Sequence, residues 1–344
     1  MTEKHHDYRL KSLKKYGKNS LSYLTVSDSL NTFQGSWDGY IAYKTSLKSA
    51  TILGDPIVAD TSLEKAIDDL KEHFTSKKTH MNFFLCTEKT IHILKQKGFT
   101  CFYVGMESVV DLNKFTISGR KKWKIRSSVN HAKKNQMTVE EYRYTPQNRS
   151  KEIEEGITTI ANEWCRVKKT PEFSFAFGTV DFDAENNVRY FICKHNNNIV
   201  GFISYYPILG GNGYYLDLTR RGLHAPRGTI DYCIVQSFEQ LKKEGATKIY
   251  FGFSPFSFLQ YNHSIHSRFY TNVFTLTKPL FELGYPAQSE FFFKKKFATD
   301  WEPNYVAFYP RISIRNLLSL INAIYQGGIA AFIMTKFRYM FSKS

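Results

Sequence analysis

Two stretches of the sequence switch repeatedly between apolar alternation of period two and apolar spacing of 3.6 residues, which restricts the chain to a layered α/β fold. In the first, Gly39 to Tyr43 and Ala50 to Leu53 read as short strands of a hairpin, the second ending in the turn-forming Gly54-Asp55-Pro56. Leu63, Ala66, Ile67, Leu70 and Phe74 then share one helical face. Met81 to Leu85 is a strand, Glu88 to Lys97 a helix closed by Gly98, and Cys101 to Val104 a further strand. In the second, Ser150 to Val167 is helical, and Val188 to Lys194 pairs with Ile199 to Tyr206 across a polar turn. Tyr214 to Leu218 follows as a strand, Thr229 to Glu244 as a helix stopped by Gly245, and Lys248 to Phe253 as a strand.

Strand, loop, helix, strand in this order is the central unit of acetyltransferase-like folds. The expected architecture is therefore a tandem of two such (GNAT-like) domains, each a mixed sheet with flanking helices, joined by a basic helix. The expected boundaries are residues 1–117, a linker at 118–136, a second domain at 137–310 and an amphipathic tail at 311–344. A length of 344 residues suits two domains of ordinary size. With 42% hydrophobic and 23% charged residues the composition is globular, and 29 Phe and 22 Tyr favour substantial sheet.

Lys and Arg exceed Asp and Glu by sixteen, so the surface field attracts polyanions, either nucleic acid or an anionic membrane face. The five cysteines are widely spaced and form no CxxC pair, which points to neither a disulfide framework nor a metal site and fits a reducing cytoplasm. Met1 to Lys15 is too charged to hold the apolar core of a signal peptide.

Three segments carry chemistry. Gly119 to Arg126 is the densest basic run and continues to His131, Lys133 and Lys134. On a helix, Lys122, Arg126 and Lys133 fall near one face and with Arg120 could follow a phosphate backbone, although a solvated linker helix explains the same charges. Tyr214 to Gly228 reads YYLDLTRRGLHAPRG. A strand delivering Asp217 and Arg220, a loop with Arg221, His224 and Arg227, and then a helix N-terminus make an electropositive pocket for a phosphate or an ester oxyanion. The alternative is an Asp217–Arg220 ion pair that pins the strand end. Leu223, His224 and Pro226 interrupt the glycine-spaced run that an acetyl-CoA pyrophosphate loop needs. Phe291 to Tyr305 reads FFFKKKFATDWEPNY, an aromatic strand sending Lys294 and Lys296 to one side and Lys295 to the other, as ligand contacts or as a lysine-defended edge. Gly252-Phe253-Ser254-Pro255 is a plain turn or part of the site.

Together these segments resemble the catalytic domain of phosphatidylglycerol lysyltransferases and their alanyl-transferring relatives, from about Tyr16 to Tyr305. The resemblance rests on Tyr16-Gly17 with Ser20-Leu21-Ser22, Ala42-Tyr43, Gly54-Asp55-Pro56, Gly105-Met106-Glu107 and the Arg126, Asn130, Lys133 series. Further along it rests on Glu163-Trp164, Asp217-Leu218-Thr219-Arg220, Ala225-Pro226 with Gly228 and Asp231, Gly252 to Pro255, and Lys294 to Phe297 with Trp301 and Tyr305. It implies transfer of an aminoacyl group from aminoacyl-tRNA to the hydroxyl of an anionic lipid such as phosphatidylglycerol, with no metal or cofactor, in a tunnel between two acetyltransferase-like domains. Asp217 and Arg220 would orient the ester and stabilise its charge, Trp164 would shape the aminoacyl pocket, and Lys296 would lie near the lipid phosphate. Arg221, Arg227, Phe253 and Lys294 are further substrate contacts, and Arg120, Lys122, Arg126 and Lys133 the tRNA contacts.

Full-length family members carry a multispan, lipid-flipping region ahead of this domain. Here the domain begins almost at Met1, so flipping is not expected of this chain. The stretch from Asn316 to Thr335 has no charge but is interrupted by polar residues and Gly327-Gly328, which favours an interfacial pair of amphipathic helices over a span; a helix docked on its own core is the alternative. The expected location is cytoplasmic, peripheral on the inner membrane face. Competing readings are an acyl-CoA-dependent N-acyltransferase and a non-catalytic module binding RNA or anionic membrane.

Overall fold

The computed structural model describes residues 3–145, 147–168, 178–180, 182, 187–258, 287–325, 327, 328, 330, 333 and 334. The first part runs α1 (Glu3–Tyr16), β1 (Asn31–Phe33), β2 (Gly39–Ser46), β3 (Ser49–Leu53), β4 (Ile57–Val58), α2 (Leu63–Ser76), β5 (His80–Cys86), α3 (Glu88–Gln96) and β6 (Thr100–Asp111). Next come α4 (Trp123–Lys134), β7 (Thr138–Arg143), α5 (Lys151–Lys168), β8 (Arg189–His195), β9 (Asn198–Ile208), β10 (Gly213–Arg221), α6 (Thr229–Lys243) and β11 (Lys248–Pro255). The chain closes with α7 (Ala287–Phe297), β12 (Asp300–Tyr309) and α8 (Ile314–Ile324).

The expected α/β class is present, and the strands form one open mixed sheet. Its order is β1-β2-β3-β5-β12-β6-β11-β10-β9-β8-β7, with β4 pairing β2 off this path. The two stretches of the sequence meet where β6 and β11 pair antiparallel, and β12 returns from late in the chain to lie between β5 and β6. Alternation assigns the faces. Ala50, Ile52, Met81 and Phe83 bury against α2 and α3, while Phe191, Cys193, Ile203 and Tyr205 bury against α4 and α6. On α5, Ile157, Ile160 and Ala161 join Tyr190, Phe202 and Leu218 in a separate cluster.

The expectation of a strand over Phe291 to Tyr305 is corrected. Phe291 to Phe297 lies in α7, and the strand begins only at Asp300. The aromatic run favours a strand locally, but Phe293 and Phe297, one helical turn apart, both pack on Phe251, and tertiary burial overrides the local preference. In consequence Lys294 and Lys296 do not share a side. The expected strand does overlap β12 from Asp300 to Tyr305, and it includes Pro303 although proline is rare in central strands. The proline is tolerated because residues 300–304 of β12 pair with β6 alone; β5 joins from Tyr305 onward.

Among the described residues no helix is long and apolar enough to cross a membrane. Of the tail, α8 is described and docks on β2, β3 and β5. Lys336 and Arg338 lie outside the described residues.

One ion cluster ties the far end of the sheet together. Arg189, 6% exposed, donates from Nε to Glu141 at 2.6 Å, from Nη1 to Glu244 at 2.6 Å and from Nη1 to the Tyr214 hydroxyl at 2.9 Å, linking β7, β8, β10 and the end of α6. Removing the cation leaves facing carboxylates without their partner, so Arg189→Ala should cost about 3 kcal/mol in urea denaturation, whereas Arg143→Ala, on an exposed arginine of the same cluster, should cost under about 1 kcal/mol.

Candidate active site

β10 and β11 are parallel neighbours, yet they pair only over Gly213–Tyr215 and Lys248–Tyr250. Beyond that both strands are irregular. The register of β10 against β9 shifts between Leu216 and Thr219, and that of β11 against β6 shifts between Tyr250 and Phe253, where Gly252 adopts φ +77°. Backbone groups freed by the break find side-chain partners: the Ser204 hydroxyl accepts from the Leu218 amide at 3.2 Å, and the Lys294 ammonium donates to the Gly252 and Phe253 carbonyls at 3.2 and 2.7 Å.

The strands separate around a cavity of about 200 Å³ lined by residues 215–220 of β10, Phe251 to Phe253 of β11, Trp164 of α5, Glu290 and Lys294 of α7, and Glu107 of β6. An outer chamber of about 820 Å³ shares Trp164, Thr219, Glu290 and Phe293 with it and adds Lys124, Arg221, Arg227, Asp231 and Lys296. On another side a space of about 260 Å³ shares Ser20, Leu21, Leu85, Glu107 and Asn304 with the central cavity. It occupies the place beside residues 302–304 that β5, ending at Cys86, does not fill. Three chambers thus adjoin in series through the middle of the sheet.

Asp217 and Arg220 both line the central cavity. The Asp217 Oδ1 accepts from the Gly178 amide at 2.9 Å, and the Arg220 guanidinium carbon lies 3.5 Å from the centroid of the Trp164 ring. Contact with the ring face limits the orientation of the guanidinium, whose Nη1 also donates to the Thr219 carbonyl at 3.4 Å. A Cβ at position 178 would stand 2.2 Å from the Tyr206 hydroxyl and 2.5 Å from Asp217 Oδ2, so a larger residue there would displace one of those side chains.

The remaining expected residues separate. Phe253 lines the central cavity, and Arg221 and Arg227, both exposed, line the outer chamber. Lys294 is buried and engaged with the two carbonyls; burial pushes its ammonium down to about 8. Lys296 turns toward the start of α6 and pairs with Asp231 at 2.6 Å. On the basic helix, Lys122 donates to the Lys296 carbonyl at 2.6 Å and Arg126 to the Ile117 carbonyl at 2.7 Å, so both hold backbone, while Arg120 and Lys133 are exposed.

Glu107 stands out as a titratable group whose part in the site the sequence left unassigned. It is buried, borders both the central cavity and the space beside β12, and accepts from the Ser20 hydroxyl at 2.7 Å. Burial raises its carboxyl to about 7; the Ser20 hydrogen bond and the Lys294 charge only partly oppose this, and Glu302, its register partner on β12, adds to the rise. The available signal was a carboxyl inside a strand otherwise buried along nearly its whole length, where unpaired acids are rarely found.

The family model for the C-terminal region of phosphatidylglycerol lysyltransferase matches residues 10–308. The chain belongs to this family. A phosphatidylglycerol lysyltransferase of Bacillus subtilis (strain 168) is 24% identical over 318 residues, covering 91% of this chain and 36% of that protein. The lysylphosphatidylglycerol biosynthesis bifunctional protein LysX of Mycolicibacterium vanbaalenii is 23% identical over 317 residues, covering 89% of this chain and 28% of that protein. The chain thus spans about a third of the length of these relatives. Among solved structures, L-PGS from Bacillus licheniformis superimposes with a TM-score of 0.74 at 21% identity, covering 97% of this chain and 96% of that one. FemX does so with a TM-score of 0.55 at 13% identity, covering 93% and 98%. At these identities the structural likeness is one of fold.

Carbon-13 spectra of glutamate-labelled protein should show one carboxyl titrating near pH 7, absent from Glu107→Gln. Ser20→Ala removes a hydrogen bond to the charged form and should move that midpoint upward.

Proposed function

We propose that this protein transfers an aminoacyl group from aminoacyl-tRNA to the hydroxyl of a membrane lipid, with phosphatidylglycerol as the acceptor suggested by the family's name. The observation that carries this reading is the Arg220 guanidinium stacked on Trp164 beside Asp217, inside a cavity between separated strands that opens toward two further chambers. Such a site suits two large substrates that meet through small reactive ends.

In this reading the lipid hydroxyl oxygen bonds to the ester carbonyl carbon, and the bond from that carbon to the ribose oxygen then breaks. Arg220 meets the negative charge on the carbonyl oxygen, and its ring support keeps it oriented beforehand. Asp217 holds the aminoacyl ammonium. Glu107, when ionised, takes the proton from the attacking hydroxyl and returns it to the departing ribose oxygen. Lys294 supports the opening by satisfying two carbonyls of β11. The outer chamber is the donor's side, because Lys124, Arg221, Arg227 and Lys296 line it and the exposed Arg120 lies one turn before α4. A coenzyme A donor is disfavoured because Leu223, His224 and Pro226 interrupt the glycine-spaced run ahead of α6 that a pyrophosphate loop needs.

Incubating the protein with lipid extract and labelled aminoacyl-tRNAs should carry label into the organic phase; salt-dependent tRNA binding with no such transfer would leave a non-catalytic binding module. Arg220→Ala should lower transfer by about 100-fold or more, the usual loss on removing an oxyanion donor. The rate should rise with pH through about 7 as Glu107 ionises, and Glu107→Gln should lower the rate and flatten this limb.

A further inference from the structure

The C-terminal helix α8 is docked with its amphipathicity reversed. Its inward residues are Asn316, Ser319 and Ala323, all buried. Asn316 hydrogen-bonds Asn82, whose Nδ2 in turn donates to Thr51 Oγ1 at 3.0 Å, and the Ser319 hydroxyl lies 2.9 Å from that of Ser46 and 3.3 Å from that of Thr51. A helix that packs on a sheet ordinarily turns its apolar stripe inward. Here the sheet face itself is polar at Thr51 and Asn82, and the helix answers it with amides and hydroxyls. Ile314, 77% exposed, and Leu317, 40% exposed, point the other way, with Leu318 and Ile321 half-buried on the same outward side.

The surroundings are basic. Arg311 and Arg315 are exposed beside the outward stripe, and the sequence from Pro310 to Ser344 contains no Asp or Glu. Next to Ser46, the tip of the β2–β3 turn exposes Leu47, at 49%, together with Lys48. The patch is close to the cavity: Asn82, under α8, and Phe84, which lines the cavity, are two positions apart on β5 and share a face, about 7 Å apart at the rise of a strand.

We propose that the outward stripe of α8, with the Leu47–Lys48 tip and Arg311 and Arg315, is the surface on which this protein rests against an anionic lipid bilayer. The apolar side chains would enter the headgroup boundary while the cations meet lipid phosphates. The choice of a bilayer as the occupant rests on the lipid reading of the acceptor. In that arrangement the bilayer lies against α8, which docks on the same strand β5 whose Phe84 lines the central cavity.

Sedimentation of the full chain with vesicles of phosphatidylcholine, with and without phosphatidylglycerol, tests this directly. Binding should require the anionic lipid and weaken with salt, and the double variant Ile314→Ser, Leu317→Ser should lower partitioning by roughly tenfold or more. Its thermal melt should stay near that of the parent, since both side chains face away from the core. Arg311→Gln with Arg315→Gln should reduce binding without abolishing it. Absence of vesicle binding by the parent chain, or equal binding by the apolar double variant, overturns the proposal. So does a parent dimer that the same variant dissociates, which would assign the stripe to a second copy, or a large fall in melting temperature, which would assign it to the chain's own packing. Transfer measured in detergent-dispersed lipid separates the two readings. Vesicle binding lost in the variant with no transfer to any lipid leaves the surface standing and removes the acceptor; transfer in detergent with unchanged vesicle binding removes the surface alone.

Discussion

The separation of β10 from β11 after three paired residues is the constraint on which the rest of the site depends. A parallel sheet with both faces covered normally keeps its ladder intact, because every unpaired amide and carbonyl inside it loses its bond to water. Opening the ladder at its centre makes room for a ligand and at the same time creates a set of orphaned backbone groups. The fold answers with side chains rather than solvent: Ser204 for the Leu218 amide, Lys294 for two carbonyls of β11. These residues are therefore part of the site's architecture before they are part of any chemistry.

The same opening leaves two ionisable groups in a poor dielectric. Burial raises Glu107 to about 7 and lowers Lys294 to about 8, and their mutual attraction opposes both shifts without overcoming them. The signs of the linked stabilities follow. A carboxyl raised above its unfolded value gives stability that is present below the ordinary glutamate range and lost as pH climbs through about 7; an ammonium lowered below its unfolded value costs stability that returns only as pH climbs from about 8 past the ordinary lysine range. Near neutrality the fold bears most of both penalties. Sites that need charge in a dry place commonly carry such a cost, and it is offset here by cores on both faces of a long sheet.

The sequence made the α/β class legible because α2, α3, β5, α6 and β11 each obey a local period, and α3 and α6 are stopped by Gly98 and Gly245. Asp217, Arg220 and Trp164 were legible as a group through ordered motifs, and the structure brings all three to one cavity. What escaped depends on contacts between distant segments. Phe291 to Phe297 is an aromatic run whose strand preference loses to packing on Phe251 and Phe238, and no local pattern reveals that. The expected strand overlaps β12 only from Asp300 to Tyr305, and the continuation to Tyr309 is fixed by pairing with β5 and β6. Lys122 and Arg126 look like phosphate contacts in any linear reading; their carbonyl partners lie 174 and 9 residues away in sequence. Glu107 acquires its raised titration only through burial in the folded sheet, with Glu302 of β12 adding to the rise and Ser20 and Lys294 opposing it.

α8 shows the same principle at the surface. Its apolar periodicity is clear in the sequence, but periodicity identifies only that a helix has two faces, not which of them the protein claims. The decision lies in β3 and β5, which present Thr51 and Asn82 on the side opposite α2 and α3. A buried Asn or Thr on a sheet requires a hydrogen-bonding partner, and only the polar face of the helix supplies one. The apolar face is then displaced outward by the chemistry of the sheet beneath it. Reversed amphipathicity is thus fixed by β3 and β5, and β5 also places Phe84 and Leu85 on the wall of the central cavity, so the proposed membrane-facing helix and that cavity are positioned by a shared strand.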